Sequence, residues 1–133
     1  MPGAVDRYSY ILDSSALLAV TMGEPGADKV LEIIDRAAIS TVNLLEAFTK
    51  LIQKGIPAER VQRRLESFAL PMIHWTEEDV WKSADLIPLA WKHGLSLGDR
   101  ICLATARRYH AHAVTADRKW TGLVAKPRIL LIR

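Results

Sequence analysis

Short apolar segments alternate with amphipathic segments along this chain, and that alternation restricts its fold more than any other feature. Residues 8–12 combine aromatic and β-branched side chains and end at Asp13, as a buried strand does. Further strands are predicted at residues 38–40, 71–75, 113–115 and 128–132. Strands that alternate with helices form a parallel sheet with helices packed on both faces. The pattern therefore predicts an α/β protein with three layers, α/β/α.

The helices of this arrangement are predicted from apolar residues that recur at a spacing of three or four. They begin at Ser14 and then cover residues 27–36, 44–54, 57–68, 77–92 and 96–109. Thr76 and Asp79 have the spacing of a capping box at the start of the fifth helix. Pro88 lies inside that helix and cannot donate a backbone hydrogen bond, so we expect a kink or a break near Ile87.

Length and composition limit the alternatives. With 133 residues, 50% of them apolar and 25% charged, we expect a single globular domain over residues 1–133. The longest apolar run, residues 16–20, is far shorter than the roughly 20 residues of a membrane helix. The chain shows no secretory signal pattern, and its one cysteine cannot form an internal disulfide, so we expect a cytoplasmic protein. A net charge of +3 is compatible with a nucleic-acid partner but does not indicate one.

Four acidic residues stand out by their positions. Asp13 follows the first predicted strand directly, and Asp117 follows the fourth after one intervening residue. Glu46 and Asp99 lie in the first turns of helices that are predicted to begin near the same edge of the sheet. Sites in open parallel sheets form at the carboxyl ends of the strands. We therefore predict that these four carboxylates converge around one pocket.

Convergent carboxylates repel one another, so their ionised forms need cations to neutralise them. Ligands that are all oxygen atoms favour hard ions such as Mg²⁺ or Mn²⁺. Paired ions of this kind support phosphodiester hydrolysis, because they activate water and stabilise charge on the attacking and leaving oxygens. The acidic residues are thus consistent with a metal-dependent nuclease.

Each acid also has a purely structural interpretation. Asp13 is well suited to cap the helix that begins after it. Glu46 has Lys50 four residues later, which is the spacing of an ion pair along a helix. Asp99 stands three residues after Ser96, as in a capping box, and the last acid follows a strand as turn aspartates do. Their common position at one predicted edge is what favours a shared function.

Four segments of the chain resemble the PIN domain, in particular the small VapC-type toxins of bacteria and archaea. They occur in the family's order and spacing, at residues 10–18, 40–48, 94–106 and 114–119. Each contains one of the four acids, in the sequences YILDSSALL, STVNLLEAF, GLSLGDRICLATA and VTADRK. One segment alone is moderately specific, whereas the four in this order are strongly specific.

The resemblance implies a five-stranded parallel sheet with the first strand at its centre. It also implies a Mg²⁺- or Mn²⁺-dependent endoribonuclease that cuts single-stranded or loop RNA. The acidic positions of the family's site fall on the four acids named above. Asp13 and Asp99 are implied as the direct metal ligands, and Glu46 and Asp117 as residues that complete the cluster or hold water beside the metal.

Three further residues are implied to support this site. Ser15 and Thr115 match positions in the family that often carry a hydroxyl group beside the acids. Local caps and strand-end hydrogen bonds are the alternative role for both hydroxyls. Gly98 and Arg100 replace alanines that are common on either side of the third acid. Arg100 thereby adds a cation that is available to contact phosphate or to perturb the metal.

The resemblance also implies partners. They are the RNA substrate, a small antitoxin that inserts a segment into the active-site groove, and a second copy of the chain in a homodimer. We expect the dimer to use apolar helix surface. The residues that offer such surface are Leu45, Phe48, Ile52, Val61, Leu65, Phe68, Trp81 and Trp91. The alternative is that these side chains fill the core of one chain.

Trp120, beside Arg118 and Lys119, is the tryptophan best placed in sequence to stack on RNA.

Two other functions remain open from the residues alone. One is a non-catalytic module of the same fold that binds RNA or a protein partner. Four acids without a metal would weaken RNA binding, which counts against that function. The other is a phosphatase or phosphotransferase with Asp13 as nucleophile. Such enzymes usually carry an Asp-x-Asp motif, and this chain has Ser15 in place of the second aspartate, which counts against that function.

Overall fold

The computed structural model describes residues 7–123 and 127–133. The strands are β1 (Tyr10–Leu12), β2 (Ala37–Ser40), β3 (Met72–Ile73), β4 (His112–Thr115) and β5 (Ile129–Leu131). The α-helices are α1 (Ser14–Met22), α2 (Ala27–Ile33), α3 (Thr41–Gln53), α4 (Ala58–Glu66), α5 (Glu77–Lys82), α6 (Leu86–His93) and α7 (Leu97–Arg108). Short 3₁₀ segments follow at Ile34–Arg36, Ser83–Asp85 and Arg118–Gly122.

The five strands form one sheet in the order β3-β2-β1-β4-β5, and each neighbouring pair is parallel. β1 is central, because Leu12 pairs in register with Ile39 of β2 on one side and with Val114 of β4 on the other. The predicted parallel α/β/α architecture with its first strand at the centre is confirmed. All five strands therefore end at the same edge, and residues that follow them are brought together there.

Alternate strand residues face the two helical layers. Leu12, Ile39 and Val114 belong to an apolar cluster with α1, α2, α3 and α4. Their neighbours Ile11 and Ala113 belong to a second cluster, with α6 and α7 on the opposite face. This period of two explains why the strands are apolar throughout: both faces of a parallel sheet are covered.

The predicted long helix over residues 77–92 is divided earlier than expected. The 3₁₀ segment Ser83–Asp85 separates α5 from α6, so Pro88 lies in the first turn of a new helix rather than at a break near Ile87. A proline lacks the N–H that would bond to the carbonyl four residues before it, and its ring clashes with that carbonyl. The disturbance therefore falls one turn before the proline, at Ala84.

The structure contradicts the stacking of Trp120 on RNA, and for Trp81 and Trp91 it contradicts the alternative of core filling rather than the expected surface position. Trp120 is fully buried within the second apolar cluster, so it is not available to stack on RNA. Trp81 and Trp91 do not fill the core of the chain, since they are 67% and 81% exposed. The apolar residues proposed for a dimer divide in the same way. Val61 and Leu65 are buried in the core. Leu45 and Ile52 are exposed, as the two tryptophans are, so these four residues are available for association.

None of the helices in the described part of the chain combines the length and the apolar character that crossing a membrane requires.

Candidate active site at the carboxyl edge of the sheet

Asp13 is the residue that joins the central strand to the first helix, and its carboxylate is held from several sides. Oδ1 accepts hydrogen bonds from the Ala16 N–H at 2.8 Å and from the Ser15 hydroxyl at 2.7 Å. Oδ2 accepts from the Thr115 hydroxyl at 2.5 Å, which ties β1 to β4. Asp13 is thus the N-cap of α1, as its structural interpretation predicts, yet it is also only 4% exposed.

Burial has a measurable electrostatic consequence for Asp13. Loss of solvent raises its pKa from an ordinary 3.8 to about 6, although the hydrogen bonds from Thr115, Ser15 and Ala16 lower it in part. The negative charge of Asp99 raises the pKa of Asp13 further. A carboxyl group whose ionised form is unfavourable gains from any cation that approaches it.

Ser15 and Thr115 connect this centre to the fourth acid. The Ser15 hydroxyl accepts a hydrogen bond from the Ala116 N–H at 2.9 Å, and the Thr115 hydroxyl accepts one from the Asp117 N–H at 3.0 Å. Both hydroxyls therefore donate to Asp13 and accept from the turn that carries Asp117. The local-cap role and the site-supporting role of these residues coexist in one network.

Asp117 itself starts the 3₁₀ segment after β4. Its Oδ1 accepts from the backbone N–H of Lys119 at 2.9 Å, and its Oδ2 lies 3.8 Å from the Lys119 ammonium. The same ammonium donates to the carbonyl of Gly94 at 3.4 Å, ahead of α7. Lys119 thus links the Asp117 turn to the loop that leads to Asp99.

Glu46 is oriented by Asn43, which was not among the site residues predicted from the sequence. Asn43 is buried, and its Nδ2 donates to Glu46 Oε1 at 2.8 Å and to the Gly98 carbonyl at 3.0 Å. Its Oδ1 accepts from the Ser40 hydroxyl at 2.7 Å. Asn43 therefore joins the start of α3 to the start of α7. The spacing Ser40, Asn43, Glu46 was the available signal, since residues three apart share a helix face.

Gly98 completes this contact. A Cβ at position 98 would overlap the Glu46 carboxylate, so the glycine that replaces the family's alanine makes room for Glu46 against α7. The alternative interpretation of Glu46 is wrong: within the described ranges no ion pair joins it to Lys50, and its carboxylate turns to Asn43 instead.

Asp99 adopts the predicted capping box. Its Oδ2 accepts from the Ser96 N–H at 2.9 Å, while the Ser96 hydroxyl accepts from the Asp99 N–H at 3.1 Å. Arg100 follows on the same turn, is half-buried and has no ion-pair partner in residues 7–123 and 127–133. The cation that the sequence placed near the site is therefore uncommitted.

Cys102 is a fully buried thiol in α7. Burial raises the pKa of its thiol well above the ordinary value, and the charges of Asp13, Asp99 and Glu46 raise it further. These three carboxylates act on one fully buried atom one turn into α7. Such a thiol is a packed core group and not a nucleophile.

The donor set matches a hard divalent cation in chemistry. Among the described residues, no three His, Cys, Asp or Glu side chains lie together closely enough to hold one metal ion. One oxygen of Asp99 accepts from the Ser96 N–H, and one oxygen of Glu46 accepts from Asn43. Mg²⁺ needs only one or two carboxylates, because it retains several waters of its own. The buried Asp13 carboxylate, with Asp99 as a second oxygen ligand, is therefore compatible with a Mg²⁺ or Mn²⁺ ion that keeps several waters.

A parallel α/β/α sheet with acids at its carboxyl edge occurs in several protein families, and the sequence assigns the family of this chain. Residues 10–124 match the model of the PIN domain family. The chain belongs to that family. A comparison with curated proteins gives no match.

Solved structures share the fold at low sequence identity. VapBC from Salmonella typhimurium, in a structure bound to DNA, is 16% identical with a TM-score of 0.73, covering 95% of this chain and 99% of that one. A toxin–antitoxin complex from Klebsiella pneumoniae is 21% identical with a TM-score of 0.66, covering 92% and 100%. VapBC2 from Rickettsia felis, bound to a promoter DNA fragment, is 22% identical with a TM-score of 0.65, covering 84% and 89%.

Proposed function

We propose that this chain is a metal-dependent endoribonuclease and the toxin of a type II toxin–antitoxin pair. The observation that carries the proposal is the buried Asp13 carboxylate, with its raised pKa and the charge of Asp99 beside it, at the carboxyl edge of a PIN domain. Burying the ionised form of an acid near another negative charge lowers stability, even though Asp13 also caps α1. The use of this arrangement is to bind a cation and a polyanionic substrate.

In this mechanism Asp13 and Asp99 would hold Mg²⁺ or Mn²⁺. When bound, the cation activates water and stabilises the charge that develops on the phosphodiester oxygens. Thr115 and Ser15 fix the Asp13 carboxylate by donating to its two oxygens, so that it meets the cation in one orientation. Glu46 and Asp117 complete the acidic site and orient water at its edge.

Arg100 and Asn43 have complementary roles in the same proposal. The guanidinium of Arg100, which has no ion-pair partner in the described ranges, is available for a phosphate of the substrate. Asn43 is a positioning residue: it spans from Glu46 to the Gly98 carbonyl and so fixes α3 relative to α7.

A small antitoxin is the proposed protein partner. The similar structures carry the names VapBC and toxin–antitoxin complex, and the match covers nearly the whole of each chain. We propose that the antitoxin covers the acidic edge and that its removal exposes the edge to RNA.

The proposal is tested by incubating the purified chain with a single-stranded RNA labelled at one end. We expect internal cleavage with Mg²⁺ or Mn²⁺ and none when EDTA exceeds the metal, because the carboxylates alone do not activate water. Cleavage that survives excess EDTA would contradict the metal mechanism. RNA binding without cleavage under any metal would favour the non-catalytic module, and a trapped acyl-phosphate on Asp13 would favour the phosphatase.

We further propose a homodimer formed by the exposed apolar helix residues. Light scattering at micromolar concentration is expected to give about twice the 14.9 kDa mass of one chain. The double variant Trp81→Lys, Trp91→Lys is expected to approach the monomer mass, since both side chains are exposed and a lysine there is unfavourable in an apolar interface. Leu31→Lys, at an exposed apolar residue of α2 outside the set predicted for the dimer, is the control. A wild-type mass that stays at 14.9 kDa with rising concentration contradicts the dimer.

A further inference from the structure

An open groove of about 480 Å³ adjoins the acidic site. Ser15 lines it from α1, and the same Ser15 hydroxyl donates to Asp13, so the groove begins where the site ends. It is also lined by Lys50 of α3, by Lys54 directly after that helix, and by Arg133. The groove therefore adjoins the proposed reaction centre at Ser15, and its lining combines charged residues with Leu18 and Met22.

The cations of this groove are not equivalent. Arg133 donates to the Pro25 carbonyl at 2.9 Å and lies 3.7 Å from the Glu24 carboxylate, so it is already neutralised. Lys50 and Lys54 are exposed, and across residues 7–123 and 127–133 neither forms an ion pair. Two uncommitted ammonium groups thus face the groove.

Helix geometry aligns these two lysines with an acid of the site. Glu46, Lys50 and Lys54 are four residues apart, so they follow one another along one side of α3. At 1.5 Å per residue, the backbone positions of Glu46 and Lys54 are about 12 Å apart. Lys50 does not pair with Glu46, because Asn43 already engages that carboxylate. Along this side the charge therefore changes from negative at Glu46 to positive at Lys50 and Lys54, and in the described part of the chain no ion pair joins the acid to either lysine.

We infer that this groove holds the phosphate backbone of the RNA next to the phosphate that is cleaved, with Lys50 and Lys54 as its phosphate contacts. The inference rests on the proposed function and adds the path of the substrate to it. An acidic centre repels a polyanion, so a substrate that must reach Asp13 needs free cations directly beside it. Lys50 and Lys54 line the groove and meet that need. The two lysines succeed one another at the end of α3, as phosphates succeed one another along an RNA strand.

The test measures RNA binding without cleavage. We use the Asp13→Asn chain with Mg²⁺ and a fluorescein-labelled, 20-nucleotide single-stranded RNA, and follow fluorescence anisotropy between about 50 and 200 mM salt. Each phosphate contact on a single strand contributes about 0.7 to the salt slope. Lys50→Gln with Lys54→Gln is therefore expected to reduce the slope by about 1.4 and the affinity at 0.1 M salt by about 25-fold. Lys50→Arg with Lys54→Arg is expected to retain binding.

The matched control is Arg128→Gln, an exposed cation directly before β5 and hence at the edge where the strands begin. Equal losses in the control and the lysine variant, or no loss in the lysine variant, overturn the inference. Stronger binding of a polyglutamate peptide than of RNA would assign the groove to a protein partner and also overturns it. Lysine-dependent RNA binding by a chain whose wild type never cleaves RNA would uphold the groove and refute the nuclease.

Discussion

Asp13→Asn is expected to lower the rate of metal-dependent RNA cleavage by at least about 10³-fold while the fold is kept. The amide has the size of the carboxyl group and keeps an oxygen for the Ala16 N–H at the start of α1. It loses the charge that binds the cation. A bound cation contributes several kcal/mol to catalysis, and each 1.36 kcal/mol is about tenfold in rate. Initial cleavage rates at saturating Mg²⁺ or Mn²⁺ measure the loss, and circular dichroism checks the fold.

Asp99→Asn is expected to act in the same direction, because its charge reaches Asp13. Asp28→Asn, at an exposed acid on α2 that is not part of the proposed site, removes the same charge and is expected to cleave at the wild-type rate. Wild-type cleavage by Asp13→Asn, at an unchanged metal optimum, would leave Asp13 with the role of a helix cap alone.

The fold was predictable because its signals are local. The apolar strands and the helical spacing between them sufficed for a parallel α/β/α arrangement, and the sheet has that form. The segment that the pattern missed, Arg118–Gly122, is a single 3₁₀ stretch whose one apolar anchor is Trp120. Its burial depends on packing in the second cluster, which no periodicity in a five-residue stretch encodes.

The acidic edge was only partly predictable. The positions of Asp13 and Asp117 follow from strand ends, which a sequence reveals. The direction of the Glu46 side chain does not, because it depends on Asn43 and on the Gly98 carbonyl, 55 residues further along the chain. Local spacing suggested Lys50 as the partner of Glu46, and a contact between two helices prevailed over it. The exposure of Trp81 and Trp91 likewise depends on how α5 and α6 pack, which the apolar count does not decide.

The second large effect concerns stability. Burial raises the pKa of Asp13 from 3.8 to about 6, so the folded chain holds this proton more tightly than the unfolded chain does. The stability that Asp13 contributes is therefore complete below its unfolded pKa and is lost as the pH rises through 6. Asparagine does not titrate. In metal-free buffer, the free energy of unfolding of Asp13→Asn minus that of wild type is expected to rise by about 2.5 kcal/mol from about pH 4 to about pH 8.

Urea unfolding of both chains with EDTA at several pH values measures this difference. Any change in hydrogen bonding with Thr115 or Ser15 adds a constant offset, which cancels when the two ends of the pH range are compared. Mg²⁺ should then act selectively: at 100 times its dissociation constant it stabilises a binding chain by about 2.7 kcal/mol. We expect that gain at about pH 8 in the wild type and not in Asp13→Asn, because the cation neutralises the same buried charge that the variant lacks. A difference that stays flat with pH would show that folding does not raise the pKa of Asp13. Equal gains from Mg²⁺ in both chains would show that the Asp13 carboxylate does not bind the ion.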